Sequence, residues 1–198
     1  MKALLITFLA ASAVLAGEPP CCRAPLPAGP PSDRSIYLLD STWTSDVGKP
    51  VKLSVFRGRP QLVAMFFTHC EYACPILVND LQKLEQQLPP ALREKVDFLL
   101  VSFDTQRDTP ATLAAFREKK QLARERWALL RGGADDVREL AALLGVNYTP
   151  DSRGQFSHSN LITLLDAEGE VAFQQAGLGQ DATALLRAVE KATTAAKR

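Results

Sequence analysis

Two patterns of hydrophobic and polar positions dominate the first half of this chain. The apolar runs QLVAMFF (residues 61–67) and VDFLLVSF (residues 96–103) are short and continuous, as in parallel strands covered on both faces. Between them, apolar residues recur at helical spacing, at Leu77, Leu81, Leu84 and Leu88. Residues 62–103 therefore predict a strand, a helix and a second strand in succession.

The flanking segments extend this pattern. Upstream, extended pieces around IYLLDSTW and VKLSVF, separated by a turn near residues 46–50, predict an N-terminal hairpin. Downstream, Asp108 or Thr109 followed by Pro110 predicts a capped helix start. The remaining predicted elements are a strand at WALLR, a helix near residues 135–144, strands at NLITLLD and EVAFQQAG, and a last helix from Asp181 to about Ala195.

The order of these elements, βαβ first and ββα last, is that of the thioredoxin-like plan. We therefore expect an α/β thioredoxin-like fold, with a central mixed β-sheet flanked by helices and an N-terminal β-hairpin extension. In this plan a CxxxC sequence lies where a thioredoxin carries CxxC.

The amino-terminal segment predicts export. Residues 1–16 contain Lys2, then an apolar run that ends in small residues, which is typical of a cleaved secretory signal. An uncleaved inner-membrane anchor is the alternative, but the run is shorter than the ~20 residues of a spanning helix. Lipidation matches poorly, because Cys21 follows Pro20 rather than a small residue. We expect a periplasmic protein with at most peripheral membrane association.

Composition and charge predict one folded domain behind a tether. Residues 17–34 are rich in proline, glycine and alanine and indicate a flexible tether, so residues 35–198 are the predicted domain. The net charge of +1 and the absence of a basic cluster argue against nucleic-acid binding. Four cysteines are too few for a disulfide framework, so a hydrophobic core must stabilise the domain.

The stretch MFFTHCEYACP places Cys70 and Cys74 at the predicted strand-to-helix junction. A helix N-terminus lowers thiol pKa and favours thiolate, so both are candidate reactive thiols rather than a purely structural pair. Residues i and i+4 of one helical turn have Cβ atoms about 5 to 6 Å apart, which is wider than the ~3.8 Å of a disulfide. Oxidation is open to the pair if the first turn is loose, and two soft thiolates can also bracket Cu(I) or Zn(II).

The chain contains two histidines that could supply a third ligand. His69 is adjacent to Cys70 and is expected to point away from it. His158, in QFSHSNLITLLD, is predicted in the loop before a core strand, facing the first helix and its cysteines. A thioredoxin-type oxidoreductase usually has a cis-proline before that strand, and SHSN has none, which favours metal ligation over disulfide exchange.

From Ser35 to the C-terminus, the chain resembles the SCO/SenC family of copper-delivery proteins. The matching pieces are FFTHCEYACP, VSFDTQRDTP and HSNLITLLDAEGE, in the family's order and spacing. The resemblance implies a thioredoxin fold that binds a copper ion through Cys70, Cys74 and His158. It also implies a role in the periplasm or mitochondrial intermembrane space. There the protein would receive copper from a donor and pass it to the binuclear copper site of cytochrome c oxidase subunit II, or reduce that site's cysteines.

Several residues depart from the family or have open roles. Ser157 stands where the family often has an acidic residue that would orient the histidine. Asp104 and Asp108 either support the site electrostatically, assist docking, or act only as a solvated loop residue and a helix cap, respectively. Cys21 and Cys22 are expected not to pair with each other, and are either auxiliary copper ligands, exchange partners for the CxxxC pair, or incidental thiols.

Two enzyme functions compete with the copper metallochaperone. The first is a thiol-disulfide oxidoreductase that uses Cys70 and Cys74 on exported protein thiols. The second is a thiol peroxidase, whose TxxC pattern fails here because Thr68 and Cys70 are only two residues apart.

Overall fold

The computed structural model describes residues 31–195 of the 198-residue chain. The predicted signal (residues 1–16), most of the predicted tether, Cys21 and Cys22 lie outside the described residues. Within the described part, no helix is long and apolar enough to cross a membrane.

Nine strands and five helices build the described domain. The strands are β1 (Trp43–Ser45), β2 (Pro50–Val51), β3 (Gln61–Phe66), β4 (Asp97–Ser102), β5 (Trp127–Arg131), β6 (Tyr148–Pro150), β7 (Phe156–His158), β8 (Leu161–Leu165) and β9 (Val171–Ala176). The helices are α1 (Ala73–Gln87), α2 (Pro90–Arg93), α3 (Pro110–Lys120), α4 (Ala134–Leu144) and α5 (Thr183–Ala195). The sequence pattern predicts all of these except α2, β6 and β7.

Seven strands form one mixed sheet in the order β2-β1-β5-β4-β3-β8-β9, and β6 pairs with β7 in a separate two-stranded sheet. Strand β3 lies between parallel β4 and antiparallel β8. All six residues of β3 are buried, so both of its faces are covered. The thioredoxin-like α/β fold, with a central mixed sheet flanked by helices, is therefore confirmed.

The N-terminal hairpin forms, but it is shorter than predicted. Only β1 and β2 pair, whereas residues 36–38 and 53–56 are short 3₁₀ turns rather than strands. Ile36 N donates to Gly169 O, so this segment docks on the turn before β9. Tyr37 lies directly against Gly169, which has a φ of +87° and no room for a side chain.

A buried ion pair fixes the hairpin to the domain. Arg117 of α3 donates from Nε to Asp46 Oδ2 at 2.6 Å and from Nη2 to Asp46 Oδ1 at 3.2 Å. Both side chains are buried. Arg117 also donates to the carbonyls of Leu122 and Trp127, so its guanidinium is well satisfied inside the protein.

The topology brings three chain segments to one edge of the sheet. Because β3 and β4 are parallel, the residues after Phe66 and after Ser102 leave the sheet at the same edge. Strand β8 runs antiparallel to β3, so its first residue, Leu161, lies at that edge too. The CxxxC segment, the DTQRD segment and His158 therefore converge there.

Candidate metal centre

The two cysteines of the CxxxC segment lie in unlike positions. Helix α1 begins at Ala73, so Cys74 is in its first turn, whereas Cys70 is in the loop before it. The spacing of one regular helical turn therefore does not apply to this pair, and the looser start that the sequence left open is the one found. The Cys74 backbone N–H donates to Cys70 Sγ at 3.2 Å, which holds the loop sulfur against the helix N-terminus. Both cysteines are free thiols, Cys74 buried and Cys70 half-buried.

Burial dominates the chemistry of the Cys74 thiol. Its side chain is fully covered, and this burial raises the pKa of Cys74 well above its usual range, with a smaller contribution from neighbouring Cys70. The helix N-terminus is expected to lower a thiol pKa, and for Cys74 that expectation is wrong. In the metal-free protein Cys74 is therefore a neutral thiol that must release a proton to bind a metal.

The imidazole of His158 faces this thiol. His158 Nε2 lies 3.5 Å from Cys74 Sγ, and Nδ1 lies 3.0 Å from the carbonyl oxygen of Ser159. Because a carbonyl only accepts, Nδ1 is the donor and Nε2 presents its lone pair to Cys74. The Ser159 carbonyl thus orients the ring, and Ser157, exposed on the same strand, does not.

His158 is the last residue of strand β7, not a loop residue as predicted. Strands β6 and β7 form a hairpin whose side chains pack on the core. The imidazole packs against the rings of Phe67 and Phe103, with centroid distances of 6.1 and 5.1 Å. Tyr148 and Phe156 of the hairpin pack on the same two phenylalanine rings, with centroid distances of 5.0 to 5.1 Å. This aromatic packing fixes the backbone that carries His158.

Asp108 ties the cysteine loop to strand β4. Its carboxylate is fully buried and accepts hydrogen bonds from the Thr68 backbone N–H at 3.0 Å, the Thr68 hydroxyl at 2.5 Å and the Ser102 hydroxyl at 2.5 Å. Asp108 is not the helix cap, because Thr109 Oγ1 accepts from Thr112 N and caps α3. Of the two open roles for Asp108, support of the site is the one that these contacts favour.

Arg107 links the same region to the hairpin that carries His158. Its Nε donates to Asp104 Oδ2, and its Nη2 donates to the Gly154 carbonyl between β6 and β7. The guanidinium carbon also lies 6.0 Å from the ring centroids of Phe67 and Phe156. Asp104 is buried, so it is not a solvated loop residue. Arg107 belongs to the VSFDTQRDTP segment that carries the family resemblance, but no role for it was predicted from the sequence.

Two groups of side chains in the described residues have the ligand atoms to hold a metal ion. In the first, the sulfurs of Cys70 and Cys74 and a nitrogen of His158 all lie within 4.8 Å of one another. The second group consists of His69, Asp104 and Asp108. Its two carboxylates already accept six hydrogen bonds between them, including two from Arg107 and three at Asp108. A cation there would have to displace these donors, so we assign no metal to the second group.

The first group matches the predicted triad of Cys70, Cys74 and His158 in its geometry. Two sulfurs and one imidazole nitrogen form a soft donor set, and small movements would bring all three to one ion. His69 stands apart, with Nδ1 at 3.0 Å from Thr68 Oγ1. An open cavity of about 590 Å³ leads to the triad, lined by Cys70, Tyr72, Arg153, Phe156 and His158 among others.

Comparison with known proteins identifies the family. The SCO1/SenC family profile matches residues 36–194. A protein of Stutzerimonas stutzeri whose name describes copper binding is 27% identical over 145 residues, covering 71% of this chain and 69% of its own length.

Solved structures show the same fold. A SCO1/SenC family lipoprotein from Bacillus anthracis is 25% identical, with a TM-score of 0.69, covering 78% of this chain and 94% of its own. BsSco, described as having a disulfide switch and as a member of the Sco family of cytochrome c oxidase assembly proteins, is 25% identical. It has a TM-score of 0.67 and covers 77% of this chain and 91% of its own. Because the family profile spans most of its length, this chain belongs to the SCO1/SenC family.

Proposed function

We propose that this protein is a copper metallochaperone that binds one copper ion through Cys70, Cys74 and His158. The observation that carries the proposal is the 3.5 Å approach of His158 Nε2 to Cys74 Sγ, with Cys70 Sγ in the same group of ligand atoms. Thiolate sulfur and imidazole nitrogen together suit copper in both its oxidation states, since thiolate favours Cu(I) and imidazole suits Cu(II). Copper here is cargo.

The proposed acceptor is the binuclear copper site of cytochrome c oxidase subunit II, with a periplasmic protein as copper donor. Membership in the family and the description of BsSco as a cytochrome c oxidase assembly protein support this assignment. An exported location, with residues 1–16 as the signal, follows from the sequence pattern, and the lipoprotein relative supports it.

Copper titration of the reduced protein tests the ligand set. We expect one Cu(I) per chain, with both free thiols of the CxxxC pair consumed. Serine at Cys70 or Cys74 should abolish tight binding, because a neutral hydroxyl is a poor replacement for thiolate. The matched control is the Cys21→Ser, Cys22→Ser variant, which should keep the single tight site. Full affinity in the Cys70→Ser, Cys74→Ser variant would refute the proposed ligands and move the site to the N-terminal cysteines.

His158 is tested separately from the thiols. His158→Ala should weaken Cu(II) binding more than Cu(I) binding, because Cu(II) favours imidazole and more ligands, whereas two thiolates satisfy much of what Cu(I) needs. Ser157→Ala is the matched control, since Ser157 is exposed on the same strand. Absorption spectra of the Cu(II) forms report the loss. Identical spectra for wild type and His158→Ala would refute the ligand role.

Dithiol-disulfide exchange is the second candidate, and the placement of the two sulfurs favours it. Cys70 is half-buried next to an open cavity, whereas Cys74 is buried behind it, so an incoming disulfide could reach only Cys70 first. Insulin reduction distinguishes the two functions. Reductase activity that is lost in His158→Ala, together with unchanged copper spectra, would favour exchange and make His158 an acid-base group.

A further inference from the structure

Cys70 lines two separate cavities. The first is the cavity that leads to His158. The second has a volume of about 390 Å³ and lies between the start of α1 and one face of α3; its lining includes His69, Cys70, Pro75, Phe116, Lys119 and Lys120. We call it the His69 cavity. Cys74 and His158 do not line it. A ligand in the His69 cavity would therefore lie beside both His69 and Cys70 without contacting His158.

A chain of hydrogen bonds fixes how His69 presents its ring. The Thr68 hydroxyl has one proton, and it donates that proton to the buried carboxylate of Asp108 at 2.5 Å. Thr68 Oγ1 can then only accept from His69 Nδ1, which lies 3.0 Å away. His69 Nδ1 therefore carries a proton. When the ring is neutral, Nε2 holds the lone pair, on a side chain that is about half exposed (49%).

This arrangement repeats a common feature of metal-binding histidines. Their second ring nitrogen usually donates to an oxygen that is itself anchored, which fixes the ring's orientation and raises its basicity. Here Thr68 is that oxygen, and the buried Asp108 is its anchor. His69 is thus prepared as a nitrogen donor, although the Cys70, Cys74 and His158 triad does not include it.

We propose that Cys70 and His69 form a second copper position, occupied while copper leaves the protein; this rests on the proposed copper-carrying function. In this step the bond from Cu(I) to His158 Nε2 breaks and a bond to His69 Nε2 forms, with Cys70 bound throughout. A thiolate of the acceptor then binds the ion on its exposed side, beside Cys70, and the bond from the ion to Cys74 breaks. Copper remains Cu(I), and the proton that the acceptor thiol releases is balanced by the proton that Cys74 takes up.

The rim of the His69 cavity indicates the chemistry of the acceptor. Lys119 and Lys120, at the end of α3, line the cavity together with the apolar Phe116 and Pro75, and the Lys120 ammonium donates to Asn79 Oδ1 at 3.4 Å. An acceptor segment that carries cysteine thiols flanked by carboxylates would complement this rim, and its association would weaken with salt. The second copper position would therefore pass copper to an acidic, thiol-bearing acceptor.

Copper-transfer kinetics test this proposal. The donor is full-length protein loaded with Cu(I), and the acceptor is a synthetic peptide with two cysteines flanked by glutamates. A peptide with glutamines in their place is the control. Wild type, His69→Gln and His69→Met are compared after their equilibrium Cu(I) affinities have been measured. Glutamine keeps a polar side chain without a soft ligand, whereas the methionine thioether binds Cu(I).

We expect all three proteins to load one Cu(I) per chain, because the resting triad does not include His69. Transfer from His69→Gln should be slowed by at least about tenfold, and His69→Met should restore most of the rate. A purely structural role of His69 predicts the reverse, since methionine resembles histidine less in hydrogen bonding. Wild-type transfer rates in His69→Gln would overturn the second copper position. Failure of wild type to load copper would instead overturn the proposed function.

Discussion

Burial of the Cys74 thiol makes the stability of the copper-free protein depend on pH. Burial raises the pKa of Cys74 above that of a cysteine in the unfolded chain, which is about 8.5. Above that pH the unfolded chain loses the proton while the folded protein keeps it. The folded state therefore loses stability as pH rises through about 8.5, whereas below this pH the contribution is constant.

The expected size follows from proton linkage. A difference of one bound proton between the folded and unfolded states changes stability by about 1.36 kcal/mol per pH unit. Between pH 8.5 and 10 the loss due to Cys74 should approach about 2 kcal/mol. The range ends near pH 10 because burial also raises the pKa of Tyr37, whose unfolded-state value is about 10, and a second loss of stability begins there.

Urea unfolding of the reduced, copper-free protein between about pH 7 and pH 10 measures this effect. The control is Cys74→Ser, whose hydroxyl does not titrate in this range, and the difference between the two pH profiles isolates Cys74. Loading with Cu(I) should remove the fall in stability above about pH 8.5, because neither the loaded protein nor the unfolded chain then holds the Cys74 proton. Parallel pH profiles for the wild type and Cys74→Ser would refute the raised pKa and the resting thiol that follows from it.

Two further perturbations test the supports of the site and of the fold. Asp46→Ala should lower stability to urea by about 3 to 5 kcal/mol, because it leaves the buried guanidinium of Arg117 without its charge partner. A loss of unfolding free energy below about 1 kcal/mol, as for an exposed ion pair, would contradict this prediction. Arg107→Gln should loosen the hairpin that carries His158 and weaken Cu(II) binding about tenfold, while Cu(I) binding changes little. Arg153→Gln, on the same hairpin, is the control, and equal effects of the two variants would contradict the link through Arg107.

The sequence pattern predicted the sheet and α1 well because their signals are long. Strands β3 and β4 are continuous apolar runs, and α1 repeats leucines over several turns. Strands β6 and β7 have three residues each, which is too short for a period to be visible. His158 was nevertheless expected beside the cysteines, because β8 must begin at the edge where the parallel strands end.

The contacts around the site could not be predicted from the sequence because they join residues that are far apart along the chain. Asp108 and Thr68 are 40 residues apart, and only the parallel pairing of β3 with β4 brings them together. For Cys74 the sequence suggested the wrong sign of the pKa shift. A helix N-terminus contributes about 0.3 to 1 kcal/mol, whereas full burial shifts a pKa by up to 3 to 5 units. The effect of burial on the pKa of Cys74 is therefore larger than that of the helix N-terminus. Burial depends on the packing of the whole domain, which the CxxxC motif does not show.

The CxxxC spacing places its two sulfurs in different environments. Cys74 lies inside the first turn of α1, buried and in contact with His158. Cys70 lies in the preceding loop, half-buried, and lines both the cavity that leads to His158 and the His69 cavity. A buried sulfur is shielded from an incoming thiol, so in the proposed copper carrier an acceptor thiol would reach the ion on its exposed side, where Cys70 lies. Under that proposal Cys74 would retain copper, whereas Cys70 would stay bound while the acceptor thiol joins, because only Cys70 is accessible from outside.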